Sequence, residues 1–242
     1  MINIVIPMAG LGSRFLSAGY KKAKPFIDVE GSSMIVRVLE NLTYLDARYI
    51  LIARREHIEL ESKLIKEITK KFNAVFIPID NVTEGTACTV LFAKKYINNS
   101  TPLLVANSDQ IIDIKIEEFI DNCLERGLDG SILSFIEKDK NPKWSFAKVN
   151  SNGLVEEVKE KEPISEIATV GIYLFAKGSL FVNGAIDMII RNDRSNGEFY
   201  TCPVYNYLIK DGFKVNVYNI DPIKMHGLGT PSDLKKYLGR LK

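Results

Sequence analysis

Ile2-Asn3-Ile4-Val5-Ile6-Pro7, running into Met8-Ala9-Gly10-Leu11-Gly12-Ser13-Arg14, is the stretch on which the fold turns. The apolar run reads as a buried strand. The glycines after it let the backbone approach an anion and aim N–H groups at it. Arg14, and Lys24 of Lys24-Pro25 ten residues further on, supply positive charge. Strand, glycine turn, arginine and lysine together form a phosphate cradle. The rest of the chain is then read for whether it completes a site around a triphosphate.

Outward from this stretch the chain alternates strands and helices. Ser33 opens a predicted helix over 33–44, with Ile35, Val38, Leu39 and Leu42 on one face. Strands are predicted at 49–53, 73–77 and 102–106, separated by helices at 57–71 and 86–96. Short, wholly apolar strands alternating with amphipathic helices predict a parallel sheet covered on both faces. In such sheets ligands sit at the carboxyl ends of strands, where residues 8–14 and 107–109 fall. From Ser131 the rhythm changes. Segments 131–136, 146–149, 154–159 and 169–175 read as strands joined by short turns such as Asn150-Ser151-Asn152-Gly153. This predicts a mixed or antiparallel part on the sheet's far edge. Helices return at 177–190 and 200–210, a strand at 214–219, and a last helix opens at Pro231 with Thr230 as its N-cap. No repeat, low-complexity tract or linker is visible, so 1–242 is read as a single unit.

At 46% hydrophobic and 26% charged residues, the 242-residue chain has the composition of an ordinary globular protein with a real core. A net charge of +2 gives no general attraction to nucleic acid or to an anionic membrane. Cys88, Cys123 and Cys202 lie far apart, without a CxxC pair, and there are two histidines. That argues against a zinc site and suits a reducing compartment. No apolar run reaches the ~20 residues that span a bilayer, and the first residues read as a strand rather than a signal segment. The expectation is a soluble, cytoplasmic chain without nucleic-acid or membrane partners, with a homo-oligomer left open.

A glycine turn after a strand is a weak signal by itself. A dinucleotide-binding turn needs a third glycine and an acidic residue ending the second strand; here the second strand ends in Ala53-Arg54-Arg55. A Walker loop needs Gly-Lys-Ser/Thr, which is absent. Gly10-Leu11-Gly12-Ser13-Arg14-Phe15 with Lys24-Pro25 instead resembles the signature of the sugar-phosphate nucleotidylyltransferases. The resemblance continues through Glu84-Gly85-Thr86-Ala87, Asn107-Ser108-Asp109 and Glu160-Lys161-Glu162-Pro163. It closes with Val170-Gly171-Ile172-Tyr173 and Gly229-Thr230-Pro231-Ser232-Asp233-Leu234. Six motifs in order cover nearly the whole chain.

The resemblance implies an α/β, Rossmann-like (GT-A-type) three-layer sandwich. Its central sheet would be mostly parallel, with a small mixed β part in the C-terminal half. The NTP-binding half would be 1–130 and the acceptor-binding half 131–242. It implies attack by an acceptor phosphate on the α-phosphorus of an NTP, with release of pyrophosphate. That nucleophile is already ionised, so what the reaction needs is charge neutralisation and in-line positioning. By resemblance, Arg14 and Lys24 are catalytic. Met8, Ala9, Gly10, Leu11, Gly12, Ser13, Gly85, Thr86 and Asn107 hold the nucleotide. Lys161, Glu160, Gly171, Tyr173, Ala147 and Glu198 line the acceptor side. Asp109 ends a buried strand and suits Mg²⁺, a cation that takes hard oxygen ligands. Taken singly, each of these cations also reads as a solvated surface charge.

The chain departs from the family pattern at two positions. The usual second metal aspartate is Gly227, so Asp221, Glu198 or water is left to complete the shell. The glycine near the sugar is Ala147. Tyr200 reads as a core residue or as part of the acceptor pocket, and Trp144 as packing or as a stacking surface. These departures tilt the reading toward CTP as donor and a non-standard acceptor, phosphoglutamine or sugar 1-phosphate in type, in capsule or surface-polysaccharide precursor synthesis. The alternatives are a thymidylyl-, uridylyl- or guanylyltransferase, a glycosyltransferase of similar topology, and a non-catalytic nucleotide-binding module.

Overall fold

Alternation along the strands produces the architecture. The structure, a computed structural model, describes residues 1–241. In β1 (Ile2–Pro7), Ile2, Ile4 and Ile6 enter one core while Val5 enters a second core on the opposite face. The two-residue period of an extended chain requires this. β2 (Asp28–Val29) and β3 (Ser32–Ser33) make a small antiparallel ladder. β4 (Ala47–Arg54), β5 (Val75–Ile79) and β6 (Leu103–Ala106) complete a parallel half-sheet in the order β5-β4-β1-β6. Tyr49, Leu51 and Ala53 share the first core, and Ile50 and Ile52 the second.

Helices seal both faces. Met34–Asn41, Ser62–Phe72 and Ile116–Glu125 contribute Ile35, Leu39, Ile68 and Phe119 to the first core. Thr86–Leu91, Gly178–Ile190 and Val204–Lys210 contribute Val90, Phe181, Ala185 and Tyr205 to the second. The result is the three-layer α/β sandwich expected for this pattern.

The remaining strands are β7 (Gln110–Ile112), β8 (Gly130–Ile136), β9 (Ser145–Val149), β10 (Val155–Glu160), β11 (Ile167–Phe175), β12 (Val215–Ile220) and β13 (Met225–Gly227). β11 is the joint between the two halves. Residues Ile172–Phe175 run antiparallel to β6, while β8 follows the other edge of β11. Toward its N-terminal end β11 leaves β6 and meets β9 at Ala168–Phe146. Between these contacts the register shifts, and Gly171 takes φ 93°. The sheet forks there, and the fork is where the site opens. β13 pairs with β7, and Leu228 N donates to the Asp109 carbonyl at 2.7 Å.

Several boundaries differ from the sequence reading for local reasons. Asn73, at φ 50°, ends the preceding helix in the left-handed cap that asparagine tolerates, so the third strand starts at Val75. Helix 57–71 is interrupted at Glu61, and helix 86–96 at Phe92–Ala93. The helix expected over 200–210 begins only at Val204, because the Thr201 backbone is bonded to Thr86 instead. The two- and three-residue ladders β2–β3 and β7–β13 carry no periodic signal.

The joint gives a direct test. A methyl group on Gly171 would collide with the Asn107 amide while φ stays positive. Gly171→Ala is expected to cost about 2 kcal/mol or more in urea unfolding. The control Gly239→Ala, which has open space in the last helix, is expected to be neutral or to gain up to about 1 kcal/mol. Equal effects of the two changes would remove the joint from the account.

Candidate active site

Two cavities meet at the carboxyl ends of β1 and β6. The smaller, about 450 Å³, is lined by Met8, Ala9, Gly10, Leu11, Gly12, Ser13, Arg14, Lys24, Gly85, Thr86, Asn107 and Asp109. Thus the residues singled out on the nucleotide side, although spread over a hundred positions, share one wall. The larger, about 750 Å³, opens into the fork of the sheet and holds Ser145, Glu160, Thr169, Gly171 and Tyr173. Arg14, Thr86, Asn107, Asp109 and Gly229 line both.

Close backbone approach builds the junction. Gly12 sits at φ 61°, and a Cβ there would lie 3.1 Å from Lys24 Cβ. Lys24 opens the turn Lys24–Phe26, which is anchored by buried Pro25 and Phe26. Its ammonium forms an ion pair with Asp109 Oδ2, both side chains being about four-fifths buried (17% exposed each). On the far side, a Cβ on Gly229 would come within 3.1 Å of the same oxygen. The base-side segment is held just as closely. Gly85, at φ 129°, lies against the Phe199 carbonyl, to which Ala87 N donates at 2.9 Å. Thr201 N and Oγ1 both bond Thr86 Oγ1 at 3.0 Å. Arg194 pairs with Glu84 and stacks 4.1 Å over the Phe199 ring.

The wall of the larger cavity is a buried polar cluster. Ser145 Oγ donates to Glu160 Oε2, and Thr169 Oγ1 and Tyr173 Oη share a hydrogen bond of 3.1 Å. Burial pushes the Glu160 carboxyl above its ordinary value, against the opposing pull of the Ser145 hydroxyl and the Lys161 charge. Burial also lifts the Tyr173 phenol well above its usual range, so it remains a neutral donor. Gln110 Oε1 is buried on this wall without a donor among the described residues, which suits a ligand hydroxyl or N–H.

Some sequence expectations are corrected. Ala147 is fully buried and lines neither cavity; its carbonyl accepts from Ser165 Oγ at 2.7 Å. Asp221 also lies outside both linings. It caps its own turn by accepting from Ile223 N at 3.0 Å, because a short side chain before Pro222 closes onto the nearest free N–H. Glu198 lines the nucleotide-side cavity rather than the acceptor side. Lys161, expected on the acceptor side, lines neither cavity: its Nζ donates to Tyr200 Oη at 2.8 Å and sits 4.7 Å over that ring. Tyr200 lines the larger cavity. Trp144 packs edge-on against Phe135 at 5.2 Å and also lines the larger cavity. Sequence reasoning missed Gln110, Lys143, Thr201, Lys236 and Arg240, which no motif joins.

Asp109 is the hard-oxygen anchor of the junction, and no group of three or more potential metal-binding residues forms among the described residues. One carboxylate beside open space at Gly227 fits Mg²⁺, which keeps several waters and takes phosphate oxygens as further ligands.

The doubly covered sheet places a glycine loop and a lysine–aspartate pair where the two cavities meet. The family model for nucleotidyl transferases matches residues 4–198, and the chain belongs to that family. It is 26% identical over 239 residues to the bifunctional protein GlmU of Methanococcus aeolicus, covering 96% of this chain and 53% of that one. It is 27% identical over 177 residues to the mannose-1-phosphate guanylyltransferase catalytic subunit beta of Drosophila melanogaster, covering 71% and 47%. The chain thus spans about half the length of these two relatives. A nucleoside-diphosphate-sugar pyrophosphorylase from Vibrio cholerae superposes with a TM-score of 0.84 at 25% identity, over 98% of this chain and 99% of that one. The inositol-1-phosphate CTP transferase of T. maritima shares the fold, with a TM-score of 0.74 at 14% identity, over 99% and 94%. Among the described residues no helix is long and apolar enough to cross a membrane.

Because Glu160 holds its proton more tightly folded than unfolded, its native contribution is complete below the unfolded value of 4.5. That contribution is lost as pH rises through the raised folded value. Glu160→Gln is therefore expected to unfold at higher urea than the parent at neutral pH, with the advantage fading as pH falls through the raised folded value and gone by 4.5. An advantage that does not change with pH would contradict this origin.

Proposed function

We propose that the protein transfers a nucleoside monophosphate from an NTP to the phosphate of a small acceptor, releasing pyrophosphate. The observation that carries this reading is the shared wall of the two cavities, where Arg14, Asn107 and Asp109 face both and Lys24 stands beside Asp109. The triphosphate occupies the cavity of the glycine loop, with Arg14 on its β- and γ-phosphates. The acceptor occupies the fork, with its phosphate toward Lys24. An acceptor oxygen forms a bond to the α-phosphorus while the α–β bridging bond breaks, and pyrophosphate carries away the electron pair. No proton needs to move, so the task of the residues is to hold two anions together in line. Lys24 and Arg14 offset charge that shifts onto the leaving group. Asp109 would hold Mg²⁺, which supplies further neutralisation of the phosphates when bound.

For the donor we propose CTP, and for the acceptor a phosphorylated metabolite of the phosphoglutamine or sugar 1-phosphate type, in surface-glycan precursor synthesis. Gly227, which lines the larger cavity where the family pattern has an aspartate, supports an altered acceptor side. The names of relatives point to several bases, including UTP for the glucose-1-phosphate uridylyltransferase AglF of Haloferax volcanii, which is 22% identical over 246 residues. The base is therefore tested directly. Thermal-shift screening with ATP, CTP, GTP and UTP in Mg²⁺ is expected to single out CTP, since binding stabilises by mass action. A larger shift with another base would replace CTP in the reading.

Pyrophosphate release with the preferred NTP and an acceptor panel is the decisive assay. Lys24→Ala is expected to lower kcat about 10²–10³-fold, with cooperative unfolding retained but shifted to lower urea because Asp109 loses its partner. Undiminished turnover would take Lys24 out of the mechanism. Absence of pyrophosphate with every NTP and acceptor would sink the transfer reading.

A further inference from the structure

The larger cavity carries more positive charge than one phosphate requires. Its smaller neighbour has Arg14 and Lys24. The larger one has Arg14 and, beyond it, Lys143, Lys236 and Arg240. Among the described residues none of these three has a carboxylate within salt-bridge reach. The carboxylates on the same wall are engaged elsewhere: Asp109 with Lys24, Glu160 with Ser145, and Asp233 with Thr230 Oγ1 at 2.6 Å.

The three cations come from two elements. Lys143 precedes β9, whereas Lys236 and Arg240 lie four residues apart on the helix Pro231–Arg240. Like charges at that spacing face each other and repel. Cations in a last helical turn are favoured by the helix dipole, but that accounts neither for Lys143 nor for the way Arg240 is held. Arg240 Nη1 donates to the Ile223 carbonyl at 3.2 Å and meets His226 Nδ1 at 3.0 Å. His226 Nε2 in turn lies 2.7 Å from Asp113 Oδ2. With the imidazole donating to that carboxylate, Nδ1 keeps the lone pair that accepts from the guanidinium. One edge of Arg240 is thereby fixed, leaving Nε and Nη2 as a preset fork of the kind that receives a carboxylate or phosphate.

We propose that the acceptor bears a second anionic group, carboxylate or phosphate, besides the phosphate that attacks, and that Arg240, Lys236 and Lys143 receive it. The inference rests on the nucleotidyl-transfer reading of the site and narrows its acceptor class. A sugar 1-phosphate whose sugar is uncharged offers these cations no second anion; Lys143 Nζ then keeps only its place 4.6 Å over the Trp144 ring, and Arg240 its bonds to Ile223 and His226.

Three matched ligands test it: glucose 1-phosphate, glucuronic acid 1-phosphate and glucose 1,6-bisphosphate. Each is titrated calorimetrically into the full chain with Mg²⁺ and a non-hydrolysable analogue of the preferred NTP. At least one of the two ligands with an anionic arm is expected to bind about tenfold more tightly than glucose 1-phosphate, and which one does so tells carboxylate from phosphate. Arg240→Gln and Lys143→Gln, on separate elements, are each expected to bring that ratio close to one. Equal or weaker binding of both anionic ligands overturns the proposal, as does a preference untouched by either variant. Pyrophosphate release keeps the two readings apart. Turnover of glucose 1-phosphate without any anion preference removes the subsite and leaves the transfer reading. An anion preference abolished by the variants, with no pyrophosphate from any pair, does the reverse.

Discussion

β11 has to serve more partners than a straight strand can. Along one edge it follows β8, and along the other it pairs first with β6 and then with β9. A continuous ladder would close the space between β6 and β9. The register shift around Gly171 instead turns the strand where the Asn107 side chain approaches its backbone, a place where a Cβ would not fit. The parallel half of the sheet delivers the glycine loop, Asn107 and Asp109 to one side of this gap. The mixed half delivers Ser145, Glu160 and Tyr173 to the other. The site is the consequence of one strand dividing its hydrogen bonds between two halves of the molecule.

Charge is distributed across this gap in a way that sheet topology alone does not require. Lys24 is brought by a turn whose apolar residues are in the core, so its ammonium is positioned by hydrophobic burial two residues away. Asp109, buried to the same extent, is its partner. A buried carboxylate left unpaired is costly, and Lys24 meets that need where the two cavities join. The groups on the wall of the larger cavity differ: burial holds Glu160 and Tyr173 toward their neutral forms.

Much of the donor side is legible from residues alone. The apolar run at 2–7, the glycines at 10 and 12, and Arg14 and Lys24 are close in sequence, and their chemistry is local: an extended run, a turn, two cations. They line one cavity in the structure. The acceptor side is legible only in part. Glu160, Gly171 and Tyr173 lie on strands that read correctly and reach the cavity. Ala147 does not, because its neighbour Phe146 shares the buried part of the strand and Ala147 points into the second core. Asp221 looked available in sequence, but a side chain two residues before a free N–H bonds locally before it bonds at a distance.

Residue chemistry and spacing by themselves determined the layered α/β class and the glycine turn after the first strand, because strand and helix periods and glycine freedom act within a few residues. Tertiary structure alone decided that Thr201 braces Thr86 and that Arg194 reaches Glu84 across 110 positions. It also decided that Lys143 and Arg240 share a cavity. Those pairings depend on how the fork in the sheet brings remote segments together, and no local propensity encodes that distance.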